Sequence, residues 1–407
     1  MQTNDLLAST ALADDQVIND FLRLREYSMI LAAPLSDEDC GAQSMPDASP
    51  IKWHLAHTSW FFETFILERY EQHFAPFHPA FRSLFNSYYE GVGARHPRSQ
   101  RGLLTRPALA EIRSYRADVD ARMLRLLQSD HCDAACLALL TLGMQHEQQH
   151  QELMLTDIKH LLSLNPLKPA YLPGALTGLT VHVEMAWHAF PAGVVEIGHR
   201  SDLDAGFCFD NELPLHRQFI EAFAMASRLV SNSEYLRFIE QGGYDNAAYW
   251  LAAGWDWRCA NVLSHPLYWQ LGEGGVWQEF TLHGMMPLDP YAAVLHLSYF
   301  EADAYARWAG ARLPSEAEWE CAARRQQGAQ FFGTAWQWTS SSYAAYPGYA
   351  IPPGAVGEYN GKFMVNQYVL RGASGATPEG HARISYRNFF PATACWQYSG
   401  IRLARSL

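Results

Sequence analysis

No two cysteines of this chain stand in a C-x-x-C pair, and the seven present (Cys40, Cys132, Cys136, Cys208, Cys259, Cys321 and Cys395) are scattered and odd in number. That argues against a disulfide framework and fits a reducing, cytoplasmic setting. Cys132 and Cys136 share a helical spacing and read as two small buried side chains rather than metal ligands. Positive charge is scarce as well: 30 Lys and Arg face 42 Asp and Glu, for a net charge of -12. So acidic a chain repels phosphate backbones and anionic headgroups, which argues against nucleic acid or a membrane surface as a partner. No apolar run is long enough to span a bilayer. The opening MQTNDLLASTALADDQ lacks the basic and apolar regions of a signal peptide. Internal repeats and low-complexity tracts are absent.

What is present is length and apolar mass. The 407 residues exceed what one ordinary core organises, so two domains are expected. With 49% hydrophobic and 18% charged residues the chain is globular. Its 13 Trp, 20 Tyr and 21 Phe are enough to line a ligand pocket as well as fill a core.

The two halves differ in texture. Residues 1–165 read as helices, the first interrupted over residues 34–46. A second runs through IKWHLAHTSWFFETFILERY, with Ser49 as its N-cap and Pro50 in its first turn. A third covers PALAEIRSYRADVDARMLRLLQ, where Leu109, Ile112, Val119, Met123 and Leu126 recur at near-helical spacing. A fourth starts near Asp133 and runs through CLALLTLGMQHEQQHQELMLTDIKHLL. Four such helices imply a bundle, and bundles build metal sites from facing helices. NPLKPAYLPGALTGL marks a linker, set at residues 166–180. Residues 181–407 read as an irregular α+β domain, with strands such as GVVEIG and YVLRGAS and two helices, NSEYLRFIEQ and SYFEADAYARWAGARLPSEAEWECAARR.

The strongest chemical signal is His146-Glu147-Gln148-Gln149-His150. Histidines four apart on a helix project from one face, one turn apart, so both imidazoles reach one metal ion. H-E-x-x-H is also the zinc-hydrolase pattern, in which Glu147 would be the general base. A bundle site needs a further ligand from another helix, and WHLAHT offers His54 or His57. Three neutral imidazoles would leave coordination positions open for substrate and oxygen. A second cluster, FNSYYEGVGARHPRSQRG, sets Tyr88 and Tyr89 beside Arg82, Arg95, Arg98 and Arg101. Guanidinium groups bind carboxylates in a fork, and Asp47 in SMPDASP offers a partner for an ammonium group. Together they suit a small zwitterion such as an amino acid.

SMPDASPIKWHLAHTSWFFE, LFNSYYEGVGARHPR and HEQQHQELMLTDIKH resemble the ergothioneine-pathway non-haem iron sulfoxide synthases. GVVEIGH, FDNELPLHRQF, ARLPSEAEWE, GEYNGKFMVNQYVLRG, SYRNFFP and GIRLAR extend the resemblance over nearly the whole chain. The resemblance implies an α+β multidomain protein: a DinB-like four-helix bundle, then a formylglycine-generating-enzyme-like domain with a C-type-lectin-like core, the active site between them. It implies Fe(II) on His57, His146 and His150, which chooses His57 over His54. It implies that a thiol, cysteine or γ-glutamylcysteine, is joined to imidazole C2 of hercynine (N-α-trimethylhistidine) with consumption of O2, giving a sulfoxide. A tyrosine at Tyr88 or Tyr89 would supply the proton that steers the outcome away from thiol dioxygenation. Asp47, Arg82 and Arg98 would hold the thiol donor, and Asn388, Phe389 and Phe390 the hercynine, whose quaternary ammonium suits aromatic faces.

The chain departs from these patterns in places. VLRGASGATPEGH carries Gly375 and no cysteine, against the oxidation of a protein cysteine that formylglycine-generating enzymes perform. AWQWT has Gln337 where the family has an acid, and the stretch between ARRQQGAQ and FFGTAW is short. Competing readings are a selenoneine synthase with a selenosugar donor, a zinc H-E-x-x-H hydrolase, and a lectin-like module with a structural metal. An ovothiol-type synthase would need a methyltransferase domain, for which no room is expected after GIRLARSL.

Overall fold

A computed structural model describes residues 3–174, 180–204, 206–325 and 328–407. The chain divides into two units, Met1–Leu164 and Asn165–Leu407. Residues 175–179 of the expected linker lie outside the described residues.

The first unit is built on four long helices: α1 (Thr3–Ala32), α2 (Ile51–Phe62), α3 (Leu109–Leu127) and α4 (Ala134–Leu164). Every residue of α2 is buried, so it is the central helix, polar residues included. On α3 the expected stripe of Leu109, Ile112, Val119, Met123 and Leu126 is buried, together with Tyr115, Arg116 and Arg122. Helix α4 passes α2 at Gly143, where an added Cβ would come within 2.6 Å of the Phe62 ring. Only glycine allows that approach three residues before His146. Beyond Phe62 the chain stays helical but widens to a π-helical turn, Glu63–Leu67.

Ser49 does not cap α2. Pro50 holds the N-cap position with no side-chain cap, and its carbonyl accepts from the Trp53 and His54 amides. Ser49 is engaged elsewhere: its backbone amide donates to Asp157 at 2.8 Å and its hydroxyl accepts from Arg101 at 2.8 Å.

In the second unit, β1 (Trp187–Phe190) and β12 (Ala404–Ser406) flank β4 (Phe223–Ala226), both antiparallel to it. Strand β2 (Gly193–Ile197) pairs with β3 (His216–Ile220). A three-stranded meander joins β5 (Trp269–Leu271), β6 (Trp277–Thr281) and β7 (Gly284–Pro287). The fourth sheet orders β10 (Asn388–Phe390), β9 (Tyr368–Ala373), β8 (Ala335–Ser342) and β11 (Ser399–Gly400), with only β11 parallel to its neighbour. The helices are α5 (Asn232–Glu240), α6 (Ala252–Ala260), α7 (Tyr299–Trp308) and α8 (Glu316–Arg324). This is an α+β multidomain chain. Among the described residues no helix is long and apolar enough to cross a membrane.

The single helix expected over residues 298–325 is two. Gly310, at φ 63°, closes α7, and the Ser315–Glu318 capping box opens α8 after Pro314. Two of the departures flagged above, Gly375 and Gln337, are accommodated. At Gly375 an added side chain would meet nothing nearer than 3.6 Å. Gln337 is fully buried; its oxygen accepts from Trp319 Nε1 and Arg402 Nε, both at 2.7 Å, and its amide donates to the Phe331 carbonyl at 2.9 Å. A carboxylate could not make that last bond.

Candidate metal centre

Helix α2 presents Trp53, His54, His57 and Trp60 within two turns, and α4 presents His146 and His150 one turn apart. Their packing brings one ring nitrogen each of His57, His146 and His150 within 4.8 Å of one another. His57 Nε2 lies 3.2 Å from His146 Nε2. The His57 Nδ1 proton goes to the Phe85 carbonyl at 2.6 Å, which leaves the Nε2 lone pair directed at its neighbours. Trp53 and Trp60, four residues before and three after, stack on the His57 ring at 4.5 and 5.3 Å.

Burial pushes all three imidazoles below their ordinary titration range, His146 to about 3, and their mutual repulsion adds to this for His57 and His150. They are neutral at pH 7, the form that binds metal. Three neutral, converging imidazoles fit a divalent first-row ion with open coordination positions; such a set takes iron or zinc alike. His54 stands outside the trio, its Nδ1 2.8 Å from His150 Nδ1 and its Nε2 3.1 Å from Asp157 Oδ2.

Glu147 lies between the two α4 histidines in sequence but points away from them. Its carboxylate is fully buried and accepts from Arg25 at 2.7 Å, Ser28 at 2.6 Å and Arg116 at 2.8 Å. Burial alone would raise its pKa; Arg25, Arg116 and Ser28 override this and hold it at about 2. A carboxylate locked in two ion pairs on the far side of its helix is not a general base for a metal-bound water, which removes the geometric basis of the hydrolase reading.

The loop after α2 is tied to the trio through Phe85. Next to it, fully buried Asn86 clamps the turn, accepting from the Tyr89 amide at 3.0 Å and donating to the Tyr89 carbonyl at 2.9 Å. Tyr89 is thereby packed at 5.6 Å from Trp60, one ring removed from His57. Tyr88 is half-buried beside it, the two hydroxyls 3.5 Å apart.

The remaining residues singled out in the sequence are more dispersed. Asp47 is exposed, and its backbone carbonyl accepts from the exposed Arg98. Arg82 is exposed and paired with Glu68, and Arg95 is paired with Glu90. Arg101 is the buried member of that cluster, its guanidinium carbon 3.3 Å from the Trp53 ring centroid. Burial and the nearby Arg98 lower its pKa to about 8. Asn388, Phe389 and Phe390 form β10 in the second unit, where Phe389 stacks on Tyr343 at 4.0 Å and Phe390 lies 6.2 Å from Trp396.

Sequence reasoning passed over Trp53, Trp60 and Asp157 as parts of the site, and named Arg101 only as one member of a basic cluster. The tryptophans carried a usable signal, since residues four before and three after His57 share its face. Asp157 carried one too, seven residues and so about two turns beyond His150, on the same face of α4.

Comparison with known proteins agrees with this division. Residues 20–154 match the DinB superfamily, and residues 185–332 match the sulfatase-modifying factor enzyme 1-like domain. A hercynine oxygenase of Mycolicibacterium thermoresistibile is 30% identical, over 90% of this chain and 90% of that protein. One of Mycobacterium tuberculosis is 31% identical, over 90% of this chain and 93% of its own length. A formylglycine-generating enzyme of Thermomonospora curvata is 36% identical over 33% of this chain and 48% of that enzyme.

Proposed function

This chain belongs to the hercynine oxygenase family and is an oxygenase, and we propose that it joins cysteine or γ-glutamylcysteine to imidazole C2 of hercynine, using O2 and Fe(II) held by His57, His146 and His150. The observation that supports this most is the trio of converging, buried imidazoles, from which Tyr89 is one ring removed across Trp60. One oxygen atom of O2 ends in the sulfoxide and the other in water. The electrons O2 takes up come from formation of the C–S bond and oxidation of the sulfur. Iron, when bound, supplies the redox and oxygen-binding chemistry.

The chain's own residues do the rest. His57, His146 and His150 would hold the ion, and three imidazoles would leave coordination positions for substrate and oxygen. Trp53 and Trp60 fix the His57 ring and keep water from it. A phenol of the tyrosine pair donates its proton to the reduced oxygen, a role that suits a group still protonated at neutral pH. Arg98 and Arg82 bind the carboxylate of the thiol donor and Asp47 its ammonium group; the Arg82–Glu68 pair must open for this. Phe389 and Phe390 face the trimethylammonium group, and Asn388 hydrogen-bonds the hercynine.

The reading is tested by anaerobic loading with Fe(II), followed by O2 with hercynine and, in separate reactions, cysteine, γ-glutamylcysteine and a selenosugar, with product mass as the readout. A sulfoxide of hercynine with either thiol supports it; a product with the selenosugar alone makes the protein a selenoneine synthase. Binding of iron without O2 consumption in any arm sinks the enzyme reading in favour of a binding module. Replacing Tyr88 and Tyr89 together by Phe is expected to turn the product from hercynyl sulfoxide towards the sulfinic acid of the thiol. An unchanged product ratio refutes the proton-donor role.

A further inference from the structure

His54 lies on the central helix of the bundle, three residues before His57, and both of its ring nitrogens have partners. Its Nε2 is 3.1 Å from Asp157 Oδ2 and its Nδ1 is 2.8 Å from His150 Nδ1. His54 is 2% exposed and Asp157 5%, so neither finds its hydrogen bonds in water. The same Asp157 oxygen accepts the Ser49 amide at 2.8 Å, and Thr156 Oγ1 lies 3.5 Å from its other oxygen. Both oxygens of the carboxylate thus have partners.

The proton positions follow from these partners. An ionised carboxylate only accepts, so His54 Nε2 carries the proton between it and Asp157. In that tautomer Nδ1 is bare and accepts from His150 Nδ1–H. That leaves the lone pair of His150 on Nε2. His57 obeys the same rule, its Nδ1–H donated to the Phe85 carbonyl.

We propose that Asp157 and His54 form a hydrogen-bonded pair that holds His150 in the Nδ1-protonated tautomer and aims its Nε2 at the metal ion. His54 is a positioning residue, not a ligand. The proposal rests on the reading of His57, His146 and His150 as the metal site. Groups that orient a coordinating histidine in this way are worth roughly 10- to 100-fold in metal affinity. The pair also explains why a helix with two histidines supplies one ligand: the second serves the facing helix.

The test is titration of the metal-free full-length protein with Co(II) alone, whose visible spectrum reports coordination, with Fe(II) in competition. His54→Leu keeps the volume and removes both hydrogen bonds. Its Co(II) affinity is expected to fall roughly 10- to 100-fold with an altered spectrum. His54→Gln carries an oxygen to accept from His150 and an N–H to donate to Asp157, and is expected to recover most of the affinity. Thermal melts of the metal-free proteins establish that both variants are folded. Unchanged affinity and spectrum in His54→Leu would overturn the proposal. So would equal weakening in both variants, which would assign the loss to packing. His57→Ala separates the two levels: if it binds Co(II) normally, the metal site itself is misassigned, whatever His54 does.

Discussion

His57→Ala should leave a folded protein that neither retains iron nor consumes oxygen. The remaining ligands, His146 and His150, are one turn apart on a single helix and span too small an arc to hold a labile ion. Metal content should fall from one ion per chain towards none, and oxygen uptake with hercynine and thiol by about 1,000-fold or more, about 4 kcal/mol on the transition-state scale. The substitution also strands the Phe85 carbonyl, which accepts the His57 Nδ1 proton at 2.6 Å, and empties the slot against Trp53 and Trp60. A stability loss of about 2 kcal/mol should accompany it. Iron analysis, an oxygen electrode and a thermal melt on one preparation separate these effects. A folded variant that keeps stoichiometric iron and full oxygen uptake excludes His57 as a ligand. His54→Ala, by contrast, should keep measurable uptake at saturating Fe(II), since it removes an orienting bond and no ligand.

That contrast marks where the sequence stops being informative. His146 and His150 could be paired from spacing because one helix carries both. Which α2 histidine joins them depends on how that helix is rotated against α4, 89 residues away in sequence from His57, and three-residue spacing within α2 leaves this open. The same holds for Ser49. Its place before Pro50 matches a capping pattern, but its bonds run to Arg101 and Asp157, 52 and 108 residues on. Local chemistry predicted a local partner, and a long-range one won. The helices of the first unit were legible because their apolar periodicity runs unbroken for many turns. In the second unit the elements are short: Gly310 splits one expected helix in two, and α6 went unforeseen, since AAGWDWRCA shows little periodicity. The buried charges were the least legible feature. Glu147 in an H-E-x-x-H motif reads as a catalytic base, and only its contacts with Arg25 and Arg116, 122 and 31 residues distant, give it another role.

The stability of Glu147 variants should decide that role. Arg25 and Arg116 are each 2% exposed, and Glu147, at 0%, lies between them, with Arg25 also bonded to Asp120 at 2.6 Å. Glu147→Leu leaves two buried guanidinium groups short of their shared counter-charge, a change expected to cost about 3–5 kcal/mol. Glu147→Gln keeps one accepting oxygen and the shape but loses the charge, so its cost should be smaller, about 3 kcal/mol. The pH dependence gives an independent check. The Glu147 carboxyl is held at about 2 in the folded protein, below its ordinary value in the unfolded chain. A depressed carboxyl contributes stability that is present above the unfolded value, about 4.3, and is lost as the pH falls from there towards 2. The stability gap between the parent protein and Glu147→Gln should therefore be flat from pH 7 to about 5 and narrow below about 4.3. Taking this difference cancels the separate acid sensitivity of His57 and His150, whose shifts do not involve Glu147. A general base would behave otherwise: a polar isostere at the mouth of a metal site leaves stability unchanged and abolishes turnover. Chemical denaturation across pH distinguishes the two, and a Glu147→Gln protein as stable as its parent would return Glu147 to the list of reacting groups.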